Sequence, residues 1–174
     1  SLAMTSVSRK IAPYPSDDPR YVPTMEEEAE RVKAVTVDQI KDVYSRMLSS
    51  AVGELTIVGD FDPEQLLPAV DEFTQGWSSD VKFERLGRVS VNNEKGDREQ
   101  IVTPDKPNAA YIAAMTIPMR DDHPDYAALS IGNFVLGSSG LSSRLGDRLR
   151  QKEGLSYSVQ SSLQPSAVDE RTTF

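Results

Sequence analysis

The stretch LGSSGLSSRLGDRLRQKEGLSYSV, Leu136 to Val159, gathers most of the side chains in this sequence that could do chemistry. Its glycines and serines invite a phosphate cradle. A Walker loop, however, needs G-x-x-x-x-G-K-[ST] after a strand, with the lysine reaching the phosphates. Here the glycines stand at 137 and 140, no Lys-Ser or Lys-Thr follows, and the loop comes after a helical pattern. It reads instead as a helix-to-helix connector, with Ser138, Ser139, Ser142 or Ser143 available as caps. A serine nucleophile is disfavoured as well, because the G-x-S-x-G elbow is absent and His123 is the only histidine. His123 lies in DDHPD just ahead of a helix start, which suits a solvated turn residue better than a base. With one histidine and no cysteine, two-histidine and thiolate zinc sites are excluded. YPSDDP and MRDDHPD are acidic, but neither has the spacing of a calcium loop, and both read as solvated turns.

Arg150 and Tyr157 remain. Arg150 falls in the last turn of a helix that Gly154 can stop, and Tyr157 is third in the strand-like LSYSV. A tight turn at Gly154 brings the two together. The guanidinium offers several fixed donors and the phenol one more. Such a pair suits the carbonyls of a peptide backbone, or the oxyanion of a carbonyl under attack. A plainer alternative stays open on spacing alone. Arg150 could pair with Glu153 at i, i+3 on a wet helix face, and Tyr157 could join Leu155 and Val159 on a core face.

The elements that must position these residues form an α+β pattern. Residues 5–23 carry four prolines, which deny a helix and suggest an extended connector. Thr24 precedes an acidic helical run, and Thr36 with Gln39 makes a T-x-x-Q capping box for the next. Ile40, Val43, Tyr44 and Met47 then give an i, i+3, i+4, i+7 stripe. GELTIVGDF reads as a strand. Asp62 is expected to cap a helix with Pro63 at N1 and Gln65 at N3, which Pro68 should kink or limit. NNEKGD reads as a turn, and REQIVTPDKPNAAYIAAMTIP as two strands or one interrupted strand. HPDYAALSIGNFVLG reads as a helix of about 13 residues with Gly137 as its C-cap. Leu141, Leu145, Leu149 and Lys152 stripe the helix after it. LSYSVQSSL alternates as a strand, and the closing ERTTF reads as a strand cut short. The order β, α, β, (β), α, α, β implies a mostly antiparallel sheet with helices packed on one face. The division expected is 1–23 (a cloning remnant, Ser1-Leu2-Ala3-Met4, and the connector), 24–50 (helical connector) and 51–174 (α+β domain).

Charge narrows the partners. With 19 basic and 27 acidic residues the net charge is −8, which repels a polyanion. The densest basic run, Arg144, Arg148, Arg150 and Lys152, is interrupted by Asp147 and Glu153, so nucleic acid is not an expected partner. No run of 18 apolar residues exists, so no membrane span is expected.

SRLGDRLRQKEGLSYSV resembles the glycine-loop and helix segment of the insulinase and pitrilysin family of zinc peptidases, which includes the mitochondrial processing peptidases. Second-half domains of that family carry a small-residue loop, then Ser-Arg-Leu, then Arg-x-Lys-x-Gly-Leu-x-Tyr. These fall here at Ser143-Arg144-Leu145 and at Arg150, Lys152, Gly154, Leu155 and Tyr157. YPSDDPRYVPTMEEE, AVTVDQIKDVYSRML, GELTIVGDFDPEQL, DKPNAAYIAAMTIP and HPDYAALSIGNFVLGSSGLSSRL follow in the family's order, so the likeness covers most of the chain from about Arg9 onward.

The resemblance implies a metallopeptidase half-domain, incomplete at its C-terminal end, in which peptide is the substrate. The family's H-x-x-E-H motif, which holds zinc and carries the general base, is absent here. The zinc, expected in the parent enzyme, would therefore belong to a zinc-bearing half-domain of the same or a partner chain, and this chain alone is not expected to be catalytic. By the same resemblance Arg150 binds peptide carbonyls and Tyr157 stabilises the carbonyl or oxyanion. The loop Gly137, Ser138, Ser139 and Gly140 lines the substrate chamber. Relatives in bacteria suggest a periplasmic or secreted parent. The alternative is a domain of an inactive relative that serves as an assembly or scaffold subunit. One histidine and no cysteine predict that the purified chain binds no stoichiometric zinc; metal analysis after dialysis against zinc would contradict this with one zinc per chain.

Overall fold

Three helix starts in this chain are set by side chains that satisfy backbone N–H groups of the first turn, those of Ser1, Thr36 and Asp62. A computed structural model describes residues 1–91 and 95–174. Its fold is α+β, with α-helices α1 (Leu2–Ile11), α2 (Met25–Ala34), α3 (Val37–Met47), α4 (Pro63–Thr74) and α5 (Tyr126–Asn133), and strands β1 (Thr116–Ile117) and β2 (Thr172–Thr173). Two compact units result, one of Glu27–Arg85 and one of Ser1–Glu26 with Leu86–Phe174. These boundaries differ from those read from composition, because the N-terminal segment is joined to residues far along the chain rather than to its neighbours. Among the described residues no helix is long and apolar enough to cross a membrane.

In the unit Glu27–Arg85, α3 begins on the expected capping box. The Gln39 N–H donates to Thr36 Oγ1 at 3.2 Å, and the Thr36 N–H donates to Gln39 Oε1 at 2.9 Å. At α4 the Glu64 N–H donates to Asp62 Oδ1 at 3.0 Å, while Gln65 Nε2 reaches back to Asp62 Oδ2 at 2.9 Å. Pro68 does not end this helix, which runs on to Thr74. Its ring removes one bond, to the carbonyl four residues back, and its fixed φ still suits a helix. Beyond α4 the Trp77 ring meets Phe73 edge-on at 5.0 Å, and the Trp77 carbonyl accepts from both N and Oγ of Ser50 at 3.0 and 3.1 Å. GELTIVGDF forms no ladder among the described residues. Its alternation is real, but a strand needs a neighbour to bond, and alternation does not supply one.

The other unit starts with a correction. Residues 2–11 are helical, with the Met4 N–H donating to the Ser1 hydroxyl at 3.3 Å. The four prolines begin only at Pro13 and so leave this segment free to coil. The extended connector after α1 is clamped by two arginines. Arg9 lies over the Tyr21 ring at 5.0 Å and donates to the Val22 carbonyl at 2.6 Å. Arg20 lies over the Tyr14 ring at 4.2 Å, pairs with Asp18 at 2.6 Å and donates to the Gly87 carbonyl. Hydrogen bonds from Arg20 hold the Asp18 carboxyl down at about 2. Lys10 sits between Asp97 and Glu99 at 2.6 and 2.8 Å. Residues 92–94 of the expected turn NNEKGD lie outside the described residues.

β1 and β2 pair antiparallel, Thr116 opposite Thr173 and Ile117 opposite Thr172. Of the closing ERTTF, Thr172–Thr173 is strand; of the long 98–118 segment, Thr116–Ile117 is strand, and Met115 extends the pairing through two backbone bonds to Phe174 at 2.8 and 3.0 Å. Burial concentrates here. Met119 is 4% exposed and Thr172 is fully buried. The Thr172 hydroxyl donates to the Met119 carbonyl at 2.7 Å. The Thr116 hydroxyl accepts from the Val91 N–H at 2.7 Å and donates to the Val91 carbonyl at 3.1 Å, standing in for a third strand. Thr172→Val keeps the shape but strips the buried Met119 carbonyl of its donor, so it should cost about 1–3 kcal/mol. A urea titration would check this, and an unchanged midpoint would count against it.

Candidate functional site

The site is built by a helix, a serine-rich loop and a second helix. α5 continues as a wider π-helical turn, Phe134–Ser138, so the helical run covers 126–138 as its length suggested. Gly137 is not its C-cap. It is buried inside the wide turn, where a Cβ would lie 2.5 Å from the Ser161 backbone nitrogen. Glycine is required there by close approach of two chains rather than by a turn. The Ser161 hydroxyl fixes that approach by donating to Asn133 Oδ1 at 2.6 Å. Ser161 belongs to LSYSVQSSL, which forms no ladder among the described residues and instead lies against the end of α5.

Of the four serines that could have capped the next helix, Ser143 does so. It is fully buried, its hydroxyl donates to the Gly140 carbonyl at 2.6 Å and accepts from the Gly146 N–H at 3.0 Å. Gly140 takes φ +67°, which favours glycine. Gln151 ties the same loop down, its Nε2 donating to the Leu141 carbonyl at 2.6 Å. The helix then widens into a π-helical segment, Gly146–Lys152, and ends at Gly154 with φ +63°. Past that turn the Leu155 N–H bonds the Leu149 carbonyl at 2.9 Å, folding the chain back.

This return brings Arg150 and Tyr157 side by side, with the guanidinium carbon 4.6 Å from the ring centroid. The plainer alternative does not hold. Glu153 pairs with Arg148 at 2.8 Å, and Lys152 with Asp147 at 2.7 Å. Among the described residues Arg150 has no carboxylate partner. Tyr157 is no core residue either, being 85% exposed. The two line a cavity of about 150 Å³ together with Gly137, Ser138 and Gly140. Ser139 is not on its wall; its N–H donates to the Phe134 carbonyl at 3.2 Å. Ser158 and Gln160 line the cavity too, and sequence reasoning missed them. Their signal was their place beside Tyr157 in the returning segment.

His123 behaves as a turn residue, its Nδ1 accepting from the Asp125 N–H at 3.1 Å. No group of three or more His, Cys, Asp or Glu among the described residues could hold a metal ion. Zinc therefore has no fitting donor set among the described residues.

Gly146, like Gly137, has no room for a Cβ. A Cβ there would run into the Gly140 carbonyl oxygen and lie 3.0 Å from Leu141 Cα, both backbone. Gly146→Ala should destabilise by about 1–3 kcal/mol through overpacking. Gly132→Ala in α5, whose Cβ meets nothing within 4 Å, should stabilise by up to about 1 kcal/mol. Denaturant melts of the two variants would reject this account of the loop if both moved the same way.

Three comparisons bear on this geometry. A crystal structure of a peptidase M16 inactive domain from Pseudomonas fluorescens matches with a TM-score of 0.61 and 20% identity, over 99% of this chain and 40% of that one. At that identity the likeness shows the fold alone, and the chain spans about two fifths of that protein's length. No curated protein matches the sequence. The family described as the peptidase M16 inactive domain matches residues 34–174, which include the whole of the Arg150 and Tyr157 site. The chain belongs to the peptidase M16 inactive domain family, in keeping with its likeness to the second halves of insulinase-type peptidases.

Proposed function

We propose that this chain holds peptide substrate for a zinc peptidase whose metal and general base lie in another half-domain, of the same or a partner chain. The observation that carries the reading is an arginine with no anionic partner among the described residues, stacked on an exposed tyrosine at the wall of a cavity. Arg150 donates to backbone carbonyls of the peptide. Tyr157 donates its phenol O–H to the carbonyl oxygen as charge develops on it. Gly137, Ser138 and Gly140 let the peptide approach the loop backbone closely, and Ser139 keeps the loop in place. The family match, to a domain described as inactive, supports a role in binding rather than in bond cleavage.

Loss of one such donor costs about 2.7–4 kcal/mol of transition-state stabilisation, about 10²–10³ in rate. In the full-length parent, Tyr157→Phe should lower kcat by this order. Arg150→Ala should raise KM and lower kcat/KM. Peptide turnover at the wild-type rate in both variants would remove the assigned roles. A parent without H-x-x-E-H in its own gene or a neighbouring one would favour the scaffold role.

A further inference from the structure

We infer that the cavity at Arg150 selects a carboxylate on the peptide, an acidic side chain or the C-terminus, rather than a neutral backbone group alone. The inference rests on the peptide-holding role above and names the class of peptide. Its ground is the local charge. The chain is acidic, at −8, yet among the described residues no Asp or Glu lines the cavity. The other cations near the end of this helix are spent, Arg148 on Glu153 and Lys152 on Asp147. Arg150 keeps its charge uncompensated among the described residues while half-buried beside Tyr157.

A cation–π contact uses the charge of a guanidinium but consumes none of its N–H donors. The donors form a rigid fork that fits a carboxylate with two parallel bonds, a geometry no single carbonyl oxygen offers. Ser138, Ser158 and Gln160, residue types with neutral donors, line the same cavity. A volume of about 150 Å³ admits a carboxylate on a short stem. Discrimination is then a difference between two otherwise equal ligands. A neutral isostere leaves the fork half satisfied and its charge unmet.

The test uses the 174-residue chain and fluorescein-labelled peptides in matched pairs. One pair carries Glu or Gln at an internal position with an amidated C-terminus. The other carries Gln there and a free or amidated C-terminus. Anisotropy at one ionic strength should show about tenfold tighter binding of the charged member in at least one pair. The pair that responds identifies the source of the carboxylate. Arg150→Gln should abolish the difference and Arg150→Lys should keep part of it. Binding of all three peptides within about twofold of each other overturns the inference but leaves the peptide-holding role standing. A preference that survives Arg150→Gln overturns it too, and no binding of any peptide overturns both. The comparison within wild-type protein needs no variant to fold.

Discussion

The Ser143 hydroxyl is the contact on which the site depends. It takes a proton-donating bond from the Gly146 N–H and gives one to the Gly140 carbonyl, so it joins the loop to the helix it starts. Full burial removes water as a competitor for both bonds. The loop and the helix can meet this closely only because residue 146 is glycine, while Gly140 supplies the positive φ of the turn. From that fixed start the helix carries Arg150 to its far end, and the turn at Gly154 returns Tyr157 to it. The wide π-helical winding of Gly146–Lys152 decides where along the helix Arg150 falls. Errors at the cap would therefore appear at the guanidinium.

Charge pairing decides which cation is left for a ligand. Arg148, Arg150 and Lys152 sit within five residues, with Asp147 and Glu153 flanking them. Two carboxylates can neutralise two cations, and the pairs chosen, 148 with 153 and 152 with 147, leave Arg150 over. The same residue type is used differently in the N-terminal segment. There Arg9 and Arg20 also stack on tyrosines, but both spend their donors on backbone carbonyls and so serve to fasten the connector.

Much of this was legible before any coordinates. The box of Thr36 and Gln39, the Asp62 cap with Pro63 and Gln65, and the stop at Gly154 are local signals, and each bond they imply is made. The family's order of motifs was readable for the same reason, since it needs only spacing. Strand pairing was not. GELTIVGDF and LSYSVQSSL alternate, yet neither has a ladder among the described residues, whereas the short Thr116–Ile117 and Thr172–Thr173 do. A partner more than fifty residues away is invisible to a window of ten. The helix at 2–11 was missed because prolines just beyond it coloured the whole segment.

The sequence by itself determined what this chain lacks and which groups it offers. One histidine, no cysteine and no H-x-x-E-H leave no two-histidine or thiolate zinc site, and Arg150 and Tyr157 stand a fixed seven residues apart across a glycine. These are facts of composition and spacing. Only the tertiary structure decided which of two environments each side chain takes. Arg150 could bond Glu153 by spacing, and Tyr157 could be buried by periodicity. The outcome turned on Arg148 claiming Glu153 and on an exposed return past Gly154. Competition for a partner is settled by distances in three dimensions, and a linear pattern carries the candidates without the result.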